Sequence, residues 1–114
     1  MSLGAEQREF TIKIAELIMW AYEQGYQISL GDAYRDKRVH GDYGVKVGYG
    51  HPRSFHKKRL AIDLNLFKAN AQNQMVYLTD GESHRPLGEK WESMGGTWGG
   101  RFNDSNHYSW GEKR

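Results

Sequence analysis

The sequence predicts an α+β fold: a central antiparallel sheet with flanking helices. Three observations carry this. Apolar residues recur at helical spacing near the N-terminus. Two later segments, Tyr26–Leu30 and Arg59–Lys68, alternate apolar and polar residues. Helices and strands then follow one another without the strand–helix–strand regularity of a parallel sheet. The 114 residues are 38% hydrophobic and 13% aromatic, enough for one modest core, so residues 1–114 are expected to form a single domain.

Taken in order, Glu6–Gln24 reads as an amphipathic helix, with Phe10, Ile14, Leu17, Ile18 and Ala21 on one side. Gly25 is its expected stop, and nothing rests on Met1-Ser2-Leu3. Trp20 and Tyr22 are read as packing residues rather than a binding stripe. Tyr26, Ile28 and Leu30 form a strand directed toward Ala33-Tyr34-Arg35. Asp36–Arg53 is a long loop in which Gly41, Gly44, Gly48 and Gly50 break any period. Arg59–Lys68 is the second strand. Leu60, Ile62, Leu64 and Leu66 make its core face, and Ala61, Asp63 and Asn65 its polar face. Ala69–Gln74 is a hairpin loop and Met75–Leu78 the returning strand. Arg85–Met94 is a short helix closed by Gly95-Gly96, and His107–Trp110 a final short strand. His40, His51 and His84 are read as loop histidines.

The absence of cysteine excludes a disulfide framework, a thiol nucleophile and thiolate-bound zinc. The net charge of +2 and pI near 8.9 hide an uneven distribution. Arg35, Lys37, Arg38, Lys46, Arg53, Lys57, Lys58 and Arg59 face only Asp36 and Asp42 over the same stretch. Such a segment is either a solvated basic loop or a surface for an anionic partner. No apolar run is long enough to cross a membrane; the best, Ile14–Tyr22, contains Glu16. The N-terminus does not read as an export signal.

Two segments concentrate chemistry: Ser54–Leu64, and Trp98-Gly99-Gly100 through His107-Tyr108. Asp63 lies mid-strand between Ile62 and Leu64 and needs a partner, because an unpaired buried carboxylate is costly. His56, seven residues earlier, would face the other way on one continuous strand, so it is expected in the preceding loop, curled back over the polar face. Asn103-Asp104-Ser105-Asn106 is turn-forming and can bring Asp104 and His107 to one locus, with Gly99-Gly100 allowing unusual backbone angles. Asp104 is then either a base beside a metal-activated water or a turn cap. Two imidazoles, a carboxylate and a nearby base are the inventory of a catalytic zinc site.

The pattern Ser-x-His-x6-Asp, followed by Trp-Gly-Gly and then Asp-x-x-His with an aromatic next, resembles the family of zinc peptidases that comprises D-alanyl-D-alanine carboxypeptidases and L-alanyl-D-glutamate endopeptidases, and within it the small bacteriophage endolysins. The resemblance runs roughly from Gly25 to Trp110. It implies the DD-peptidase or Hedgehog-like α+β fold, one zinc ion held by His56, Asp63 and His107, and Asp104 as the catalytic base, where many relatives have Glu. It implies that Arg35 contacts the substrate carbonyl or carboxylate and stabilises the tetrahedral intermediate, and that Ser54 supports substrate binding. The substrate implied is a peptidoglycan stem peptide. The enzyme implied is a monomer with no membrane or nucleic-acid partner, made in the cytoplasm of a phage-infected or prophage-bearing bacterium and acting at the cell wall. Two departures stand out: Arg59 where many relatives have Gly, and Tyr108 where Phe is common.

Two other readings compete. A zinc-stabilised cell-wall-binding module would need no base at Asp104. A nucleic-acid-binding domain using the basic segment, with Tyr43 and Tyr49 as stacking partners, accounts for the charge but not for His56, Asp63, Asp104 and His107.

Overall fold

The structure, a computed structural model, describes residues 2–32 and 55–111. Helix α1 spans Leu3–Glu23. It starts earlier than its apolar stripe because the Ser2 hydroxyl caps it, accepting the Ala5 N–H at 3.2 Å. Gly25 ends it in the left-handed region with φ 91°. Phe10, Ile14, Leu17 and Ala21 are its buried residues.

Strand β1, Tyr26–Leu30, pairs antiparallel with β2, Ala61–Ala69. The expected continuation of β1 through Ala33-Tyr34-Arg35 lies outside the described residues, as does the Asp36–Arg53 loop. Strand β2 begins two residues later than its alternation suggests, because Phe55–Lys58 forms a 3-10 turn that closes across Arg59. Leu60 N–H donates to Phe55 O at 3.0 Å and Arg59 N–H to His56 O at 3.2 Å. Arg59 sits between them at φ 58°. This is the helix-terminating hydrogen-bond pattern in which the left-handed residue is usually glycine.

On its other edge, β2 pairs with two strands. Residues 66–69 meet β3, Met75–Leu78, and residues 61–63 meet β5, His107–Ser109. Strand β4, Thr97–Trp98, continues the sheet beyond β5, giving five strands among the described residues. At two residues it is too short to leave an alternation signal, and the sequence gives no sign of it. Helix α2 spans Gly81–Ser93 and starts four residues before the expected Arg85. Asp80 supplies the cap, accepting the Ser83 N–H at 2.8 Å. Pro86 is accommodated inside the helix, where it removes the N–H that would bond to the Glu82 carbonyl.

The core is one cluster between the helices and one sheet face: Phe10, Ile14, Leu17 and Ala21 of α1; Ile62, Leu64 and Leu66 of β2; Leu87 and Trp91 of α2; with Leu60, Trp98 and Tyr108. This is the α+β architecture with a central antiparallel sheet and flanking helices. His84 is a correction. It belongs to α2 rather than a loop and is only 2% exposed. No helix of the described residues is long and apolar enough to cross a membrane.

Candidate active site

The alternation of β2 turns Ile62, Leu64 and Leu66 into the core and leaves Asp63 on the opposite face. Asp63 is directly paired with His107 across the β2–β5 ladder, and paired residues of an antiparallel ladder project from the same face. The Asp63 backbone is fixed from both sides: its N–H donates to Asp32 O at 2.7 Å, its carbonyl accepts Gly31 N–H at 2.8 Å, and Leu64 N–H donates to Asn106 O at 2.9 Å. His56 arrives from the 3-10 turn, and the left-handed turn at Arg59 feeds the chain back into β2.

The three side chains converge. His56 Nε2 lies 3.1 Å from Asp63 Oδ1, and His107 Nδ1 lies 3.8 Å from the same oxygen. The His56 contact falls off the hydrogen-bond direction. The imidazole rings meet edge-on, their centroids 5.1 Å apart, and the Phe102 ring closes over His107 at 5.8 Å. Both imidazoles are buried while Asp63 stays partly accessible. One ligand atom from each residue lies within 4.8 Å of the others. A tetrahedral ion with bonds of about 2.0–2.1 Å holds its ligands roughly 3.4 Å apart, so this donor set fits one metal ion. Two neutral imidazoles and a carboxylate are also the ligand types that suit zinc.

Asp104 stands beside this group. Its Oδ2 is 3.9 Å from His107 Nδ1, and the side chain is half exposed. The turn leading to His107 is closed by the backbone, with His107 N–H donating to Asp104 O at 3.1 Å. The Trp98-Gly99 segment holds the turn from behind. Trp98 Nε1–H donates to Ser105 O at 2.7 Å, and Asp104 N–H donates to Gly99 O at 2.8 Å. Gly99 serves this turn by close approach rather than by an unusual backbone angle. A Cβ there would fall 2.1 Å from Asp104 O and 2.7 Å from His107 Cβ.

A second layer, unseen in the sequence, fixes β5 from below. His84 Nε2 bonds Leu78 O at 3.2 Å, which makes Nε2 the protonated nitrogen, so Nδ1 accepts the Tyr108 hydroxyl at 3.1 Å. Burial holds the His84 pKa below the ordinary value and pushes the Tyr108 phenol far above its own. The departure to Tyr at position 108 thus has a structural counterpart: a buried phenol needs a partner, and His84 is that partner. Only the complementarity of the two residues across the sequence could have signalled it.

Arg35 and Ser54 lie outside the described residues, as do His40 and His51. Of the sites expected from the sequence, His56, Asp63, Asp104 and His107 are brought together here.

A comparison with curated proteins gives no match. Among protein families, a profile described as D-alanyl-D-alanine carboxypeptidase matches residues 48–110. That span is more than half of the chain and contains His56, Asp63, Asp104 and His107. Its members are metallo-enzymes, and a His–Asp–His donor set beside a carboxylate is what such an enzyme requires. The chain belongs to the D-alanyl-D-alanine carboxypeptidase family of peptidases.

Proposed function

We propose that this protein is a zinc-dependent peptidase that hydrolyses peptidoglycan stem peptides, of the L-alanyl-D-glutamate endopeptidase or D-alanyl-D-alanine carboxypeptidase type. The observation that carries the reading is the convergence of His56, Asp63 and His107 within 4.8 Å, with the Asp104 carboxylate 3.9 Å from His107. Family membership supplies the substrate class. The sequence resemblance further suggests a phage endolysin, a monomer made in the cytoplasm and acting at the cell wall.

In this mechanism His56 Nε2, Asp63 Oδ1 and His107 Nδ1 would hold the ion. The chemistry that a zinc ion would supply when held by these residues is Lewis acidity toward the scissile carbonyl and toward water. Asp104 takes the proton of the attacking water and returns it to the leaving amine. Its half-exposed position suits a group that must meet both solvent and substrate. Arg35 is assigned to the carbonyl oxygen, where one such donor is worth about 3 kcal/mol in the transition state, and Ser54 to substrate binding.

The test is digestion of purified peptidoglycan with mass spectrometry of the released fragments, run with Asp104→Asn alongside. Asn keeps the size of the side chain and removes its basicity. The expected result is peptide-bond cleavage by the native chain and a loss of roughly 10²–10⁴-fold in the variant, with metal content and thermal stability retained. Wild-type hydrolysis by the variant would remove Asp104 from the mechanism. Wall binding without any released fragment would replace the peptidase with a zinc-stabilised binding module.

A further inference from the structure

The sheet face that carries Asp63 continues past it. Asp63, Asn65 and Phe67 alternate on this side of β2, and their paired partners share the face: Ser29 and Gln27 from β1 and Tyr77 from β3. The Phe67 and Tyr77 rings stack with centroids 5.2 Å apart and planes inclined by 30°. The Tyr77 hydroxyl donates to Asn65 Oδ1 at 3.3 Å, tying the aromatic pair to the residue next to Asp63 on this face. Gly31 contributes no side chain here; a Cβ would press to 3.1 Å from Asp63. Tyr77 is nevertheless 52% exposed. A stacked aromatic pair on the outer side of a sheet buries little area and adds little to the core.

We propose that the Phe67–Tyr77 pair is a saccharide subsite: a platform for an amino-sugar ring of the peptidoglycan glycan, with the attached peptide running along the β2 face to the His56–Asp63–His107 centre. The proposal rests on the peptidase reading above and extends its substrate from peptide to glycopeptide. A pyranose ring offers an apolar C–H face to an aromatic ring, while its hydroxyl and amide groups need hydrogen-bond partners. Asn65, Ser29 and Gln27 supply these around the platform, giving the mix of aromatic surface and a few polar groups typical of ligand sites. Among the described residues, the cation next to Phe67 on β2 is directed elsewhere, Lys68 Nζ lying 4.7 Å from the Tyr26 ring, which makes a nucleotide a poorer occupant. The separation also suits a glycopeptide. Asp63 and Phe67 are about 13 Å apart along the strand, the reach of roughly four extended peptide units, so the subsite goes with the D-alanyl-D-alanine type of cleavage, in which the bond cut lies that far from the sugar.

The experiment compares kcat/KM on a free stem peptide and on the same peptide still joined to its disaccharide, for the native chain, Tyr77→Ala and Tyr77→Phe. The native chain is expected to favour the glycopeptide by about tenfold. Tyr77→Ala should bring that ratio to within about twofold of unity without lowering the Tm, and Tyr77→Phe should keep most of it. Equal turnover of both substrates by the native chain, or an undiminished ratio in Tyr77→Ala, overturns the subsite while leaving the peptidase intact. If neither substrate is cut, the peptidase reading fails instead. Titration with peptide-free glycan oligosaccharides then decides: binding lost in Tyr77→Ala upholds the subsite, and no binding by the native chain overturns it.

Discussion

Arg59 occupies the left-handed region at φ 58°, a conformation that costs an L side chain roughly 1–2 kcal/mol. Glycine would avoid this cost but gain about 0.4–1 kcal/mol of unfolded-chain freedom. Arg59→Gly is therefore expected to stabilise the protein by about 0.5–1 kcal/mol, a Tm rise of roughly 2–5 °C by calorimetry. An unchanged or lower Tm would mean that the Arg59 side chain contributes as much as its backbone costs. His84 makes a pH prediction. Its folded pKa lies below the unfolded value because burial disfavours the imidazolium, only partly opposed by the Leu78 carbonyl and the Asp80 carboxylate. As pH falls below about 6.5 the unfolded chain takes up a proton that the native chain refuses, so stability present above that pH is lost on acidification. Denaturant titrations from pH 7.5 to 5.5 at saturating zinc should show a shallower loss for His84→Gln than for the native chain. Parallel curves would rule out His84 as the source.

The ends of the helical elements share one device, read unequally from sequence. Gly25 and Gly95 are left-handed glycines and were legible as stops for α1 and α2. Arg59 and Asn103 do the same work after the 3-10 turns Phe55–Lys58 and Gly99–Phe102, Asn103 at φ 66°; Asn is a common left-handed residue, whereas Arg59 gives no compositional sign of that conformation. The turn from Gly99 to His107 is the element on which the site depends most. Gly99→Ala would place a methyl 2.1 Å from the Asp104 carbonyl, which must move and carry the Asp104–His107 turn with it. The expected cost is about 1–3 kcal/mol, with zinc affinity lowered as well. A variant with native Tm and zinc affinity would show that the turn can relax without disturbing His107.

At the scale of the molecule, the proposed ligands come from three stretches: the turn before β2, β2 itself, and β5. An ion held by all three binds the folded chain alone, and at a free concentration about 1,000 times its Kd it adds roughly 4 kcal/mol of stability. Chelation should therefore lower the Tm by several degrees and abolish hydrolysis, and zinc should restore both. The double variant His56→Ala, His107→Ala should show no zinc-dependent Tm shift. Persistence of the shift in that variant would place the metal elsewhere.

Local pattern alone was enough to read the fold class, both described helices and the three longer strands, and to single out His56, Asp63, Asp104 and His107 as candidates for one site. It could do so because amphipathic period, glycine stops and ligand chemistry are local properties of the chain. The tertiary structure decided what depends on partners distant along the chain. It set Asp63 opposite His107 through the β2–β5 register, and it buried His84 under Tyr108. It made Gly99 a matter of close approach rather than backbone freedom. It also carried Phe67 and Tyr77 onto the face of Asp63. None of these is written in any one segment, because each is fixed by the register between strands and by packing across the core.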